Sequence, residues 1–358
     1  MEKILQFKAA AETLIQVSQP VSINGLGSSI LHDEPSPKTI NIGQEVKFFI
    51  AQLTANGDWQ SFMALMQPQP SKSLWWICRN ALFLGACVLF NWFFLGFFPI
   101  ALLITAPITL CCAARCLRSW GNQCHDVCHN NVFRKHRWNE ILGRYILMPL
   151  MWYDYKAYCD DHNQHHAELG SPERDPDIIN FDTSISTSDS DAVAFFKVVS
   201  PMLFNRKVWL SSTFGQLFTM SFTGLIKVVS LWIPLLTLIS VIFGVKATLI
   251  FLSFWILTRM TVYHFIKVFA ELCDHAFLKP QSVVKYTRSM PKNWLSFFLH
   301  PENDNFHIAH HLFPKIPMPN LQKAHKLLMK VEAYQQGQHL TSYFRGKNSV
   351  LRGLIGRL

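Results

Sequence analysis

Residues 74–114 run for 41 positions with a single charge, Arg79. A helix or strand at a water-facing surface needs a polar side, and this stretch has none. A bilayer span takes about 20 residues at 1.5 Å each, so the run is long enough for two. Residues 96–99 supply a tight return, which places helices at about 75–95 and 99–118. A second apolar block, residues 208–258, is interrupted only by Lys227 and Lys246. With Gly244-Val245-Lys246 as its turn, it predicts helices at about 224–243 and 247–267. The expected fold is therefore an all-α integral membrane protein with four transmembrane helices in two hairpins. Half the residues are hydrophobic and 16% are charged, against about 25% charged in a soluble domain. This composition excludes a disordered chain, a coiled coil and a basic tail for nucleic acid.

The net charge of +10 then bears on orientation and on anionic lipid headgroups. Lys72, Arg79, Arg115, Arg118, Arg134, Lys135 and Arg137 flank the open ends of the first hairpin, and Arg206, Lys207, Lys227, Arg259 and Lys267 those of the second. Only Lys246 sits at a closed tip. The positive-inside rule puts both termini and residues 119–207 and 268–358 on the cytoplasmic side. Residues 1–72 read as a cytoplasmic arm with short helices at 2–17 and 44–66 and a link at 22–38, and residues 335–358 as a basic tail. The first 20 residues lack a long apolar core and cleavage site, so they resemble an amphipathic helix and not a secretory signal. The nine cysteines form no C-x-x-C pair and read as reduced thiols.

Fifteen histidines are the second anomaly. His125 and His129 form an H-x-x-x-H. His162, His165 and His166 form an H-x-x-H-H, as do His307, His310 and His311. On a helix, spacings of three and four put side chains on one face, so each cluster can aim its imidazoles at a common point. Imidazole suits iron, zinc, copper and nickel. Eight imidazoles exceed one tetrahedral ion and nearly fill two six-coordinate sites. The first cluster also resembles the H-E-x-x-H of zinc proteases, but Asp126 is one methylene short of the glutamate that reaches a zinc-bound water. A membrane metal transporter would carry ligands near the midplane of its spans. Here the spans hold only His264, near one end.

One H-x-x-x-H and two H-x-x-H-H clusters, split by a second hairpin, resemble the membrane fatty acid desaturase and hydroxylase superfamily. The segments 160–166 with Asp175-Pro176-Asp177, and 307–317 with Pro319-Asn320-Leu321, are similar to its bacterial members. The similarity spans roughly residues 74–333, giving a desaturase-like domain at 73–334. It implies a cytoplasmic helical cap holding two non-haem irons, with oxygen as co-substrate, in a bacterial inner membrane. It implies His125, His129, His162, His165, His166, His307, His310 and His311 as ligands. Members usually add a ligand between the second and third clusters, and within residues 271–275 the choice falls on His275. Asn303 or Asn305 is a candidate for a water-mediated contact. His264 could share a helix face with Glu271 and His275 and orient ligands, or make an interfacial hydrogen bond.

The resemblance further implies a fatty acyl lipid, acyl thioester or free fatty acid as substrate, and an external ferredoxin or cytochrome-type electron donor. The basic segments 134–137 and 285–292 suit an acidic donor. Alkyl C–H bonds offer no acidic proton or leaving group, and metal-activated oxygen is the chemistry that attacks them. The leading expectation is desaturation. Hydroxylation, or oxidative decarboxylation to a terminal alkene, would use the same scaffold. Decarboxylation would favour a buried cation near the clusters, and Arg259 and Lys267 are placed for it, although both also read as positive-inside anchors. His32, His325 and His339 are expected to face solvent, His136 to meet headgroups, and His300 to cap or turn the chain before Pro301.

Overall fold

The computed structural model describes residues 40–178, 185–186 and 188–357. The expected helix at 2–17, the link at 22–38 and His32 lie outside the described residues. The helix expected at 44–66 is two helices, α1 (Ile42–Ala55) and a short one at Trp59–Ala64. Gly57 breaks them with φ 74, a conformation that a Cβ disfavours. Asn41 caps α1 by accepting from the Gln44 amide at 3.0 Å.

Among the described residues, four helical stretches are long and apolar enough to cross a membrane: Pro70–Phe97, Pro99–Cys128, Phe222–Phe243 and Val245–His275. The first is α2 (Pro70–Phe97), which ends where Pro99 pushes Phe98 to φ −141, ψ 64. A 3₁₀ turn leads into α3 (Leu102–Cys128). Asn91 bonds Thr109, Asn80 bonds Ser119 and the Trp120 indole bonds the Ile77 carbonyl, at 2.8, 2.7 and 3.3 Å. Partner numbers fall on one helix as they rise on the other, so the pair is antiparallel. Its buried polar groups satisfy each other, as an apolar surround requires. α3 runs ten residues beyond the end expected at 118. Its buried side chains at Ala113, Leu117, Trp120, Cys124 and Val127 keep one continuous helical face packed after the apolar run ends.

After α4 (Tyr155–Ala167), α5 (Asp191–Leu203) and α6 (Arg206–Phe214), the chain enters α7 (Phe222–Phe243). Gly244, with φ 85, turns it into α8 (Val245–Thr258). The Trp232 ring lies 6.0 Å from Phe251 and 5.0 Å from Trp255. A π turn at Arg259–Tyr263 joins α8 to α9 (His264–His275). Ile100 and Val241, each at or beside the closed turn of its apolar pair, are 82% and 78% exposed, as suits contact with lipid.

The rest is built from short helices: α10 (Trp294–Leu299), α11 (His307–Leu312), α12 (Met318–Leu328) and α13 (Val350–Leu354). The described residues are mainly helical, and depart from all-α where β1 (Arg288–Ser289) and β2 (Gln338–His339) pair in parallel and Ser342 bridges Ser349. Arg288 explains the site of that pair. Its buried guanidinium donates to the carbonyls of Cys273, Ala276 and Gly353, drawing α9 and α13 onto β1. The stretch read as a basic tail is folded through residue 357, with Tyr343, Val350 and Leu354 buried. Its charges are used locally, as Arg357 pairs with Asp191 at 2.6 Å. The reading of all nine cysteines as free thiols is corrected. Cys128 and Cys159 form a disulfide between the end of α3 and α4, while the other seven are free. Sequence could not show this, because the two are 31 residues apart and only packing brings them together.

Candidate metal centre

Four helices bring the histidine clusters together. α3 carries His125, with His129 as its C-cap residue. α4 carries His162, His165 and His166, and its first turn is fixed by Asp154, whose carboxylate accepts from the Lys156 and Ala157 amides. α9 ends at His275 and α11 carries His307, His310 and His311.

The imidazoles sort into two groups. Ligand atoms of His125, His129, His162, His166 and His310 all lie within 4.8 Å of one another, and so do those of His165, His275 and His311. His307 joins the second, with its Nε2 3.0 Å from that of His311. The groups adjoin, since the His166 and His311 rings are 4.5 Å apart.

Two contacts fix ring orientation. His275 Nδ1 donates to the Tyr286 carbonyl at 2.9 Å, leaving its buried Nε2 without a protein partner. His165 Nδ1 lies 2.8 Å from Asp175 Oδ1, the carboxylate–histidine pairing that aims the other nitrogen at a metal. Burial opposes charge on His165, yet the Asp175 bond and the Asp177 charge outweigh it and raise its pKa. The other cluster imidazoles outside the apolar helices are driven toward neutrality. Burial, with neighbouring histidines adding to it, holds His129, His166, His307, His310 and His311 well below the ordinary range and His162 down to about 3. Neutral imidazole is the ligating form.

The nitrogen spacing fits a metal. His129 and His162 approach at 2.8 Å, His166 and His310 at 2.9 Å, and His307 and His311 at 3.0 Å, each through Nε2. With metal–nitrogen bonds of about 2.1 Å, neighbouring ligands sit about 3.0 Å apart at a right angle and about 3.4 Å apart in a tetrahedron. The observed pairs match the right-angled arrangement.

Sequence reasoning passed over three contributors. Asp274, adjacent to His275, has Oδ2 3.7 Å from His307 Nε2 and a buried Oδ1 with no hydrogen-bond partner. Asp175 and the Tyr286 carbonyl orient rings. The Asp175-Pro176-Asp177 segment was the available signal for the former, while a backbone carbonyl leaves none. The other candidates are placed elsewhere. Asn303 donates to the Met318 carbonyl and Asn305 to that of Met290, both at 3.0 Å. Glu271 faces Lys267 at 3.5 Å. His264 is held by Ser212 and the Leu203 carbonyl at 2.9 and 2.8 Å, the interfacial bonding that was the alternative to ligand orientation. Asp126 is turned to Asn131 and the Met318 amide, so it cannot act as the base of a zinc protease.

Two of the remaining histidines differ from expectation. His325 and His339 are partly buried, bonded to the Tyr334 hydroxyl and carbonyl respectively. His300 does end α10, but it is buried against the Tyr343 hydroxyl at 2.9 Å. His136 is exposed and bonded to Asn130. Arg259 is no headgroup anchor. It is fully buried, with Nε donating to the Thr213 carbonyl and both Nη atoms without hydrogen-bond partners.

Two adjoining groups of buried and half-buried imidazoles, with His125, His129 and His275 at the ends of long apolar helices and the others on α4 and α11, define a membrane protein with sites able to bind metal. Residues 101–344 match the fatty acid desaturase family model, and the chain belongs to that family. It is 25% identical over 227 residues to dihydrorhizobitoxine desaturase of Bradyrhizobium elkanii, covering 59% of this chain and 64% of the relative. It is 23% identical over 235 residues to human fatty acid desaturase 3, covering 59% and 52%. A shorter match, 34% over 62 residues, is to β-carotene 4-ketolase of Protosiphon botryoides, covering 17% and 16%. The chain thus spans less than two thirds of the length of these relatives.

Proposed function

We propose that the protein is a membrane di-iron oxidoreductase that introduces a double bond into a fatty acyl chain, with oxygen as co-substrate. The observation that carries this reading is the pair of adjoining imidazole groups. His125, His129, His162, His166 and His310 would hold one iron, and His165, His275, His307 and His311 the other. When bound, the irons supply reductive activation of oxygen, which unactivated C–H bonds require. The balance is one CH₂–CH₂ unit, O₂, two electrons and two protons giving CH=CH and two waters.

The protein's own part is positional. Burial favours the neutral form of His129, His162, His166, His307, His310 and His311, Asp175 and the Tyr286 carbonyl set two rings, and the disulfide ties the end of α3 to α4. The four spans form two hairpins, with the imidazoles and both termini on the cytoplasmic side of a bacterial inner membrane. Residues 73–334 form the catalytic domain, preceded by a cytoplasmic arm and followed by the folded basic segment. Electrons come from a ferredoxin or cytochrome-type donor at the basic segments 134–137 and 285–292.

Expression in a host lacking the activity, followed by gas chromatography–mass spectrometry of its acyl chains, tests the reaction. New internal double bonds that need oxygen and vanish in His310→Ala are expected. Hydroxylated or oxo products would move the assignment to oxygen insertion, the class of the ketolase match. Anaerobically purified protein should carry two irons per chain, and active protein with one iron, or with zinc alone, would refute the di-iron reading.

Arg259 favours one second reading. The buried guanidinium faces the Trp152 and Tyr263 rings at 4.9 and 5.4 Å, but its two Nη atoms lack hydrogen-bond partners, and a fatty carboxylate would supply them. Oxidative decarboxylation would then convert the acid, O₂, two electrons and two protons to a one-carbon-shorter terminal alkene, CO₂ and two waters. That product from a free fatty acid, lost in Arg259→Met, would displace desaturation.

A further inference from the structure

The start of α2, the middle of α3, α10, the loop before α11 and the start of α12 line an open cavity of about 350 Å³. Its lining includes none of the imidazoles in the two groups. Lys72, Arg79, Arg115, Lys292 and Lys323 face it against one carboxylate, Glu302. One oxygen of that carboxylate is already engaged. Its Oε1 receives Arg79 and Arg115 at 2.6 and 2.7 Å and the Ser119 hydroxyl at 3.0 Å. Among the described residues, Lys72, Lys292 and Lys323 have no carboxylate partner; Lys292 Nζ donates to the amide oxygens of Asn303 and Gln322 at 2.9 and 2.5 Å, and Lys72 Nζ lies 5.4 Å from the Trp76 ring. Partial burial and the nearby charges of Lys72 and Lys326 push the Lys292 ammonium below its ordinary range. Such crowding of like charge is relieved by an anion.

Two further observations point to a ligand. His300 lines the cavity, is 1% exposed and has Nε2 without a hydrogen-bond partner. Glu302 and Asn303, consecutive in the wall, have φ of 65 and 70, a strained region for non-glycine residues that recurs at ligand clamps. The rim indicates where the ligand comes from. Trp75 and Trp294, each next in sequence to a lining residue, are 59% and 72% exposed. Exposed tryptophans beside lysines mark the membrane–water boundary.

We propose that this cavity is a phosphate-ester site, with Lys72, Lys292 and Lys323 gripping the phosphate and the rim tryptophans favouring a phospholipid headgroup over an acyl thioester carrier. The proposal rests on the membrane reading of the apolar helices and is independent of iron at the imidazoles.

The test is native mass spectrometry of the delipidated full chain in detergent, titrated with dioctanoyl phosphatidylglycerol, dioctanoylglycerol or octanoyl coenzyme A. One phosphatidylglycerol per chain should be retained, and the phosphate-free dioctanoylglycerol should not. Lys72→Gln with Lys323→Gln should weaken retention by about tenfold or more, the loss expected when charge-assisted bonds are removed. Metal content and the melting temperature without lipid should be unchanged, which separates this effect from misfolding. Octanoyl coenzyme A retained with the same lysine dependence would support the phosphate-ester site and make the thioester carrier its source. Equal retention of dioctanoylglycerol, or unchanged affinity in the double variant, would overturn the proposal. Lipid binding by protein that holds no iron would leave it standing while the di-iron reading failed.

Discussion

Asp175→Asn separates a metal centre from a merely buried histidine cluster. The Asp175 carboxylate is 4% exposed and accepts three bonds. Oδ1 takes His165 Nδ1 at 2.8 Å and the Asp177 amide at 3.0 Å, and Oδ2 takes the Gly170 amide at 2.7 Å. Burial opposes ionisation of Asp175, but these bonds outweigh it and hold its carboxyl below the usual range. An amide has one accepting oxygen where the carboxylate used two. If that oxygen serves His165, the new NH₂ confronts the Gly170 amide, and an unmet buried donor costs about 1–3 kcal/mol. If the amide turns, its NH₂ meets Nδ1, and His165 must carry its proton on Nε2, where it cannot ligate. Loss of such a ring-orienting partner typically costs about 10–100-fold in metal affinity. The assay is competitive removal of bound metal by a graded chelator series, with metal counted per folded chain. Asp177→Asn is the control, since it removes a neighbouring charge 3.8 Å from His165 on a side chain 61% exposed but leaves the Asp175 bond that orients the ring, so its loss should be the smaller. Asp175→Asn holding metal within about threefold of the parent, against the range expected for a lost orienting partner, would refute the orienting role. So would equal loss in Asp177→Asn.

His310→Ala should lose metal and activity while the protein stays membrane-inserted, because insertion depends on apolar runs it does not touch. His325→Ala should keep its metal and lose about 1 kcal/mol of stability for the Tyr334 bond, so metal loss in both at equal expression would show the ligand set to be incomplete. Cysteines introduced at Lys246 and Glu173 in a background lacking other cysteines should react with an impermeant thiol reagent from opposite sides of the membrane. Labelling of both from one side would break the four-span map. Burial, partly offset by Asp304, lowers His300 to about 4, against about 6.5 for a free histidine. The unfolded chain takes up that proton first, so stability should be full above about pH 6.5 and fall by about 3 kcal/mol toward pH 4. A melting temperature whose decline over that window is the same in His300→Gln would remove His300 as its source.

The existence of the apolar helices was legible in the sequence, because a run of 41 residues with one charge has few ways to satisfy its backbone outside a membrane. So were the histidine clusters, because helical spacing puts each set on one face. The ends of the helices were not legible. α3 continues to Cys128 because partners from other elements bury its face, and no local pattern announces those partners. The same limit hid the helix break at Gly57, the short strand pair ordered around Arg288, and the folding of residues 335–357 into the protein. The sequence could count imidazoles, but it could not sort them. That His166 faces His310, that His165 and His275 join His311, and that Asp274 lies beside His307 depend on four helices meeting across separations of up to 186 residues between His125 and His311. Such contacts are set by packing of the whole core, whereas spacing of three and four residues is set by the helix itself. Arg259 shows the difference within one residue: its position at the end of an apolar run reads as a charge for the membrane surface, and only the tertiary structure buries it against α6 and the Trp152 ring.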